Sequence, residues 1–133
     1  MGLPHSLNID LLTGSIPGES SVGVTTTTTG PTVDVSQRQL KSVQFICSNH
    51  TSGNGVFTIS VSNDGTNWVT YNRLNDNLAN TNAQMDTRVA SSTLNSNTTK
   101  IYFFPSGDYF RYIRCTCTVT TDGTYFALLE AAG

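Results

Sequence analysis

Three cysteines, two histidines and a scatter of aspartates are the residues of this chain that could do chemistry, and their spacing decides which chemistry is open. Cys115 and Cys117 stand two apart in RYIRCTCTVT, and Cys47 lies far away in VQFICS. A thiolate metal site wants Cys-x-x-Cys or nearby histidine. His5 and His50 fall instead in a terminal segment and a loop. Alternation puts Ile113, Cys115, Cys117 and Val119 on one apolar face and Tyr112, Arg114, Thr116 and Thr118 on the other, so the cysteines read as small core hydrophobes. Residues i and i+2 of a strand are too far apart for an easy disulfide, and Cys47 shares a face with Val43 and Phe45, so free buried thiols are expected. Asp64, Asp108 and Asp122 sit in turn sequences, where a carboxylate bonds its own backbone by default. They form no run of spaced oxygen ligands suited to calcium. General acid/base work needs two titratable groups brought into one pocket, and these acids are dispersed. No glycine-rich loop leads from a strand into a helix to cradle phosphate. The expectation is a protein with no catalytic residues, no metal and no cofactor.

The elements that must position these residues are strands. In VFTISVSNDGTNWVTY, Val56, Thr58, Ser60 and Ser62 fall on one face and Phe57, Ile59 and Val61 on the other, the period of a half-buried strand with one wet side. Asp64-Gly65 supplies the backbone of a tight hairpin turn, and Trp68, Val69 and Tyr71 return as the partner. Further strands are read at Thr32 to Val35, Lys41 to Ser48, Lys100 to Phe104, Tyr109 to Val119 and Thr124 to Glu130. Thr121-Asp122-Gly123 is read as a hairpin that pairs Tyr125, Ala127 and Leu129 back against the cysteine strand. Helical periodicity is absent apart from a short turn near Asn80 to Arg88. Leu74 to Thr98 is too long for a hairpin loop and is read as a crossover or a contact-making surface loop. Short strands separated by turn signals predict an all-β fold, an antiparallel β-sandwich of jelly-roll type.

Composition narrows the function classes. The chain has 133 residues, enough for one domain with its own core. Charged residues make up 12%, about half the usual share, and Thr, Ser and Asn carry the polarity. Seven basic residues against nine acidic ones leave no positive field for phosphate backbones, so no nucleic-acid partner is expected. No window approaches the roughly 18 apolar residues of a spanning helix, and the first ten residues lack the basic start and apolar run of a signal peptide. No membrane partner is expected, and synthesis in the cytosol is.

The chain divides on this reading into residues 1–30, an extended N-terminal arm, and 31–133, the sandwich. The arm holds LNIDLL, then Gly/Pro/Ser punctuation and five consecutive threonines, Thr25 to Thr29. Such a segment has little with which to build a core and adds readily to a sheet edge of another chain. Its apolar residues Leu7, Ile9, Leu11, Leu12, Ile16 and Val22 are the candidate anchors on a partner.

Four pieces carry a family resemblance: Val33-Asp34-Val35-Ser36, Ser62 to Trp68, Arg111 to Arg114 and Ala127 to Ala132. Together they resemble a β-sandwich found in virion structural proteins of tailed bacteriophages, over roughly Thr32 to Ala131. That resemblance implies a capsid decoration or cement protein, assembled in the host cytoplasm, homo-oligomeric and commonly trimeric, with the major capsid protein or another virion protein as partner. The SxDGxxW turn is also similar to that of discoidin-like domains, which implies the alternative of a tail, fibre or carbohydrate-binding module. Trp68 and Tyr71, with Tyr125, would then form an aromatic platform for a surface glycan.

Overall fold

The computed structural model describes residues 6–18, 21–75 and 88–133. Twelve strands follow in order: β1 (Leu7–Asp10), β2 (Thr28–Thr29), β3 (Val33–Asp34), β4 (Leu40–Ser48), β5 (Gly53–Ser62), β6 (Val69–Thr70), β7 (Leu74–Asn75), β8 (Arg88–Val89), β9 (Ser92–Leu94), β10 (Thr98–Phe103), β11 (Tyr112–Thr121) and β12 (Thr124–Ala132). No helix occurs among the described residues. The short turn expected near Asn80 to Arg88 lies outside them, except for Arg88, which begins β8.

All pairings are antiparallel and build two sheets. One runs β1-β12-β4-β10-β7-β8; the other runs β2-β11-β5-β6, with β3 also on β11 and β9 also on β5. Counting β2 with β3, and β6 with β9, as interrupted single strands leaves two four-strand cores in the orders first-eighth-third-sixth and second-seventh-fourth-fifth. That is jelly-roll order.

The core lies between the sheets, filled from both inner faces by strict alternation. Val43, Phe45 and Cys47 of β4 meet Phe57 and Ile59 of β5, with Ile113, Cys115 and Cys117 of β11 and Tyr125, Ala127 and Leu129 of β12 alongside. Phe45 and Phe57 stack with ring centroids 4.3 Å apart, and Tyr102 and Tyr125 pack at 5.6 and 5.9 Å from one or the other of them. Aromatic pairs at such spacing add to the gain from area alone.

Two expectations are corrected here. First, β12 does not pair with the cysteine strand. Its partners are β4 and β1, while β11 pairs with β5. The Thr121-Asp122-Gly123 stretch is a corner between sheets. Thr121 and Gly123 both have positive φ, 76° and 117°, and a Cβ on Gly123 would lie 2.6 Å from the Tyr125 hydroxyl, so the chain arches tightly over that ring. Alternation specifies which face of a strand is buried but not which strand lies beside it. The Asp64-Gly65 hairpin, by contrast, closes as read: Val61 pairs with Val69 and Ser60 with Thr70.

Second, residue 30 is not a boundary. Residues 7–10 form the first strand of the jelly roll along β12, Val24 bridges to Tyr125, and β2 pairs with β11. Leu11 and Leu12 are core residues, and Leu7 and Ile9 pack against the core. The segment has no core of its own, but the open edge of β12 offers one. Its apolar side chains take the nearest apolar surface, which belongs to the same chain.

Candidate interaction surface

The cysteines, the turn aspartates and His50 are committed to structure. Cys47, Cys115 and Cys117 are buried free thiols. Burial raises all three out of the reactive range, Cys117 to about 12. The Tyr125 hydroxyl, also raised, chiefly by burial, bonds Cys47 and donates to the Asp122 carbonyl at 2.9 Å. Of the three turn aspartates, Asp64 serves its own loop, as expected, whereas Asp108 and Asp122 tie theirs to segments distant in sequence. Asp64 accepts from the Asn67 and Thr66 amides at 2.8 Å, which chiefly hold its carboxyl well below the usual range, and also from the Ser62 hydroxyl. Asp122 accepts from the Thr51 hydroxyl and from the Thr51 and Ser52 amides, which lower it to about 2. Asp108 accepts from the Tyr71 hydroxyl at 2.5 Å and pairs with Arg73 at 3.1 Å. The buried Lys41 ammonium donates to the Arg38, Gln39 and Asp108 carbonyls and lies over the Phe110 ring, so it ties the start of β4 to the 108–110 loop. His50 bonds the Gly53 carbonyl within its own loop, and His5 lies outside the described residues. No group of three or more His, Cys, Asp or Glu suited to a metal occurs among the described residues.

The aromatic platform does not assemble. Tyr71 is buried, with its ring against Phe104 and Phe110 and its hydroxyl on Asp108. Tyr125 is fully buried. Trp68 carries the Arg114 guanidinium over its ring at 4.1 Å, a cation–π pair on the outer surface of the β5–β11 sheet. Of the candidate anchors, Leu11 and Leu12 are used up inside the chain, whereas Ile16 and Val22 stand 52% and 80% exposed.

The feature that sequence reading missed is the outer face of the β1-β12-β4-β10 sheet. Register places Thr99 beside Ile46 and Ile46 beside Phe126, then Ile101, Gln44 and Leu128 in the next row, Phe103, Ser42 and Glu130 in the third, and Leu40 beside Ala132 at the end. Six of these outward positions, Leu40, Ile46, Ile101, Phe103, Phe126 and Leu128, carry large apolar side chains. Leu40 is 58% and Phe103 41% exposed. Two depressions open on this face. One, about 280 Å³, is lined by Leu40, Ser42, Phe103, Glu130 and Ala132 with Lys41 and Phe104 at its floor; the other, about 290 Å³, lies between Ile46, Phe126, Leu128 and the loop residues Pro17, Gly18 and Ser21.

The loop after β1 reaches this face for a reason visible in its hydrogen bonds. Asp10 shares its row with Leu128 and points outward, yet it is fully buried beneath that loop. Its carboxylate accepts from the Leu12 amide at 3.0 Å, the Ala127 amide at 3.3 Å and the Ser21 hydroxyl at 2.5 Å. Beside it Gly23 lies so close that a Cβ there would meet the Phe126 ring at 2.9 Å. Ile16 and Val22 bracket the loop residues that wall the second depression. The signal for the face was present as lost alternation: KIYFF and TYFALLE are apolar at successive positions, which a one-sided strand has no reason to be.

Fold and surface together define an all-β sandwich of jelly-roll order with one wet and one half-apolar outer face. No protein-family model, no curated protein and no solved structure matches the chain.

Proposed function

We propose that this chain is a non-enzymatic virion structural protein, a capsid decoration or cement protein that stabilises a phage head through protein contacts. The observation that carries the reading is the half-apolar sheet face, together with the exposed Ile16 and Val22 that flank its covering loop in sequence, on a molecule whose three thiols are buried. Contiguous apolar surface of this kind marks an interaction site. The near absence of charge on the face favours a lasting contact over a transient one. Jelly rolls serve viral capsids and lectins alike, so the fold by itself does not choose between them. The choice rests on the buried Tyr71 and the Arg114-covered Trp68, which leave the glycan-binding alternative without a platform, and on the sequence resemblance to phage virion sandwiches. The partner is then the major capsid protein or a neighbouring virion protein, the working form a homo-oligomer, and the location the virion. No helix of the described residues is long and apolar enough to cross a membrane.

In this reading the N-terminal segment grips a neighbour through Ile16 and Val22, while Leu7, Ile9, Leu11 and Leu12 hold the segment to its own sandwich. The test is co-sedimentation with phage shells stripped of accessory proteins, together with the heat resistance of the decorated shells. Saturable binding that stabilises the shells, and that weakens in an Ile16→Ser, Val22→Ser double variant of unchanged fold, is the expected result. Absence of binding by the folded wild-type chain would overturn the reading.

A further inference from the structure

We infer that the outer face of the β1-β12-β4-β10 sheet is covered by the same face of a second copy of this chain, in a two-fold pair of stacked sheets. The inference takes from the proposed function only that copies associate.

Three observations select a second copy as the occupant. The first is extent. Four strands about 4.8 Å apart, with β4 rising about 3.4 Å per residue, give a flat footprint of roughly 500 Å² before side-chain relief. A standard interface buries about 800 Å² of accessible surface per partner. The face reaches that scale only when it is used whole. A lone strand or helix laid across it would leave one apolar end in water, whereas a second sheet, packing about 10 Å away, covers both.

The second is charge. Among the outward positions of β4, β10 and β12 described above, Glu130 alone is charged. A charged partner finds nothing there to pair with. A copy of this chain, with net charge −2 and the same neutral face, meets little electrostatic resistance.

The third is shape. Leu40 and Phe103 stand out beside the depression they line at one end of the face, and the depression between Ile46, Phe126, Leu128 and the loop residues Pro17, Gly18 and Ser21 lies at the other. A two-fold axis running across the strands between Ser42 and Gln44 reverses the rows. It lays Leu40 of one copy over Ile46 and Phe126 of the other, and sets each Gln44 carboxamide against the partner copy's Ser42 hydroxyl. Self-complementarity of this kind, where a patch fits its own reversed image, is what an isologous contact requires. The same operation brings Glu130 over Leu128 of the other copy, so the one exposed carboxylate of the face, Asp10 being covered by its loop, opposes the association.

Sedimentation velocity of the full chain over a range of concentrations tests the pairing. The expected wild-type result is a concentration-dependent two-copy species. Leu40→Glu and Phe103→Glu, both at exposed positions that tolerate charge in the folded chain, each weaken it by at least about tenfold, because an apolar contact cannot hold an unpaired carboxylate. Glu130→Gln strengthens it several-fold. Val69→Glu, exposed on the other sheet, leaves it unchanged. A wild-type chain that stays monomeric overturns the pairing, as does an oligomer indifferent to both Leu40→Glu and Phe103→Glu or weakened by Glu130→Gln. Shell binding separates this result from the proposed function. A chain that coats shells without pairing refutes the two-fold contact alone, and one that pairs through this face without binding shells refutes the decoration reading alone.

Discussion

The two outer faces of this sandwich are made by the same kind of strand and have opposite characters. On the β5–β11 sheet, Thr58, Ser60, Arg114, Thr116 and Thr118 point outward, hydroxyls hydrogen-bond along the surface, as between Thr29 and Thr116 at 3.0 Å, and the large aromatics Trp68 and Tyr112 carry the Arg114 and Arg111 guanidinium groups over their rings. On the β4–β12 sheet the corresponding positions hold Leu40, Ile46, Phe126 and Leu128. Both sheets present equivalent inner faces to one core. The outer difference is therefore not a requirement of folding, which needs only one buried face per sheet, and the apolar face is the one on which the proposed contacts rest.

The largest test of that contrast is at the place where the chain covers part of the apolar face with its own loop. Asp10→Ala removes the acceptor for the buried Leu12 and Ala127 amides and for Ser21, and frees the loop that walls the Phe126 depression. Leaving two buried donors unpartnered costs about 2–4 kcal/mol in total. Urea unfolding should report that loss. A change under about 1 kcal/mol would mean that Leu11, Leu12 and the backbone hydrogen bonds of the loop hold it without the carboxylate, and that the covered strip is no different from the open one.

A smaller effect separates the faces directly. Phe126→Ser takes away a half-buried ring on which the 21–24 segment rests, for a loss of about 1–2 kcal/mol in the isolated chain. Thr116→Ser, in the wet face, should stay within about 0.5 kcal/mol, the range of ordinary surface changes. Equal losses at the two sites would remove the contrast. Below these comes Arg114→Ala, which deletes the guanidinium over Trp68 and costs about 0.5–1 kcal/mol at an exposed cation–π pair. Quenching of Trp68 fluorescence by acrylamide should rise in the same variant as the indole face opens.

The wet face is legible in the sequence and the apolar one is not. YIRCTCTVTT and VFTISVS alternate strictly, so residue order alone assigns their inner and outer positions, and with them the fold class, the buried thiols and the Asp64-Gly65 hairpin. TYFALLE and KIYFF are apolar on both sides. Period-two reasoning then identifies a strand without telling which face is buried against the core and which is left for a partner. The N-terminal segment misleads for a related reason. LNIDLL alternates well enough at Leu7 and Ile9 to be a strand, but its docking site is the edge of β12, some 120 residues away in sequence. Local pattern carries no information about that distance, or about whether such an edge belongs to the same chain. The corner at Asp122 shows the same limit, since a turn sequence gives the bend and not the sheet to which the chain returns.

That corner supplies the smallest effect and the one with a defined pH window, because it joins the wet sheet to the apolar one. Asp122 accepts from Thr51 and Ser52, residues of the loop between β4 and β5, so its carboxylate fastens the two inter-sheet crossings to each other. These hydrogen bonds lower it to about 2 from an ordinary value near 3.8, the side-chain bond from Thr51 being the largest cause. A group lowered in the folded state contributes stability that is fully present above its unfolded value and is lost as pH falls through the folded one. The thermal midpoint should therefore fall between about pH 4 and pH 2, and Asp122→Asn should flatten part of that acid limb while leaving the midpoint above pH 5 only slightly reduced. Asp64, lowered by the Thr66 and Asn67 amides within the β5–β6 turn, titrates in the same direction but holds only one sheet. Asp64→Asn should change the acid limb without altering self-association. If acid weakens self-association of the wild-type chain over the same window, and Asp122→Asn but not Asp64→Asn removes that dependence, then the corner sets the geometry of the apolar face. If the two variants behave alike, each turn stabilises only itself, and the faces are positioned by the core between them.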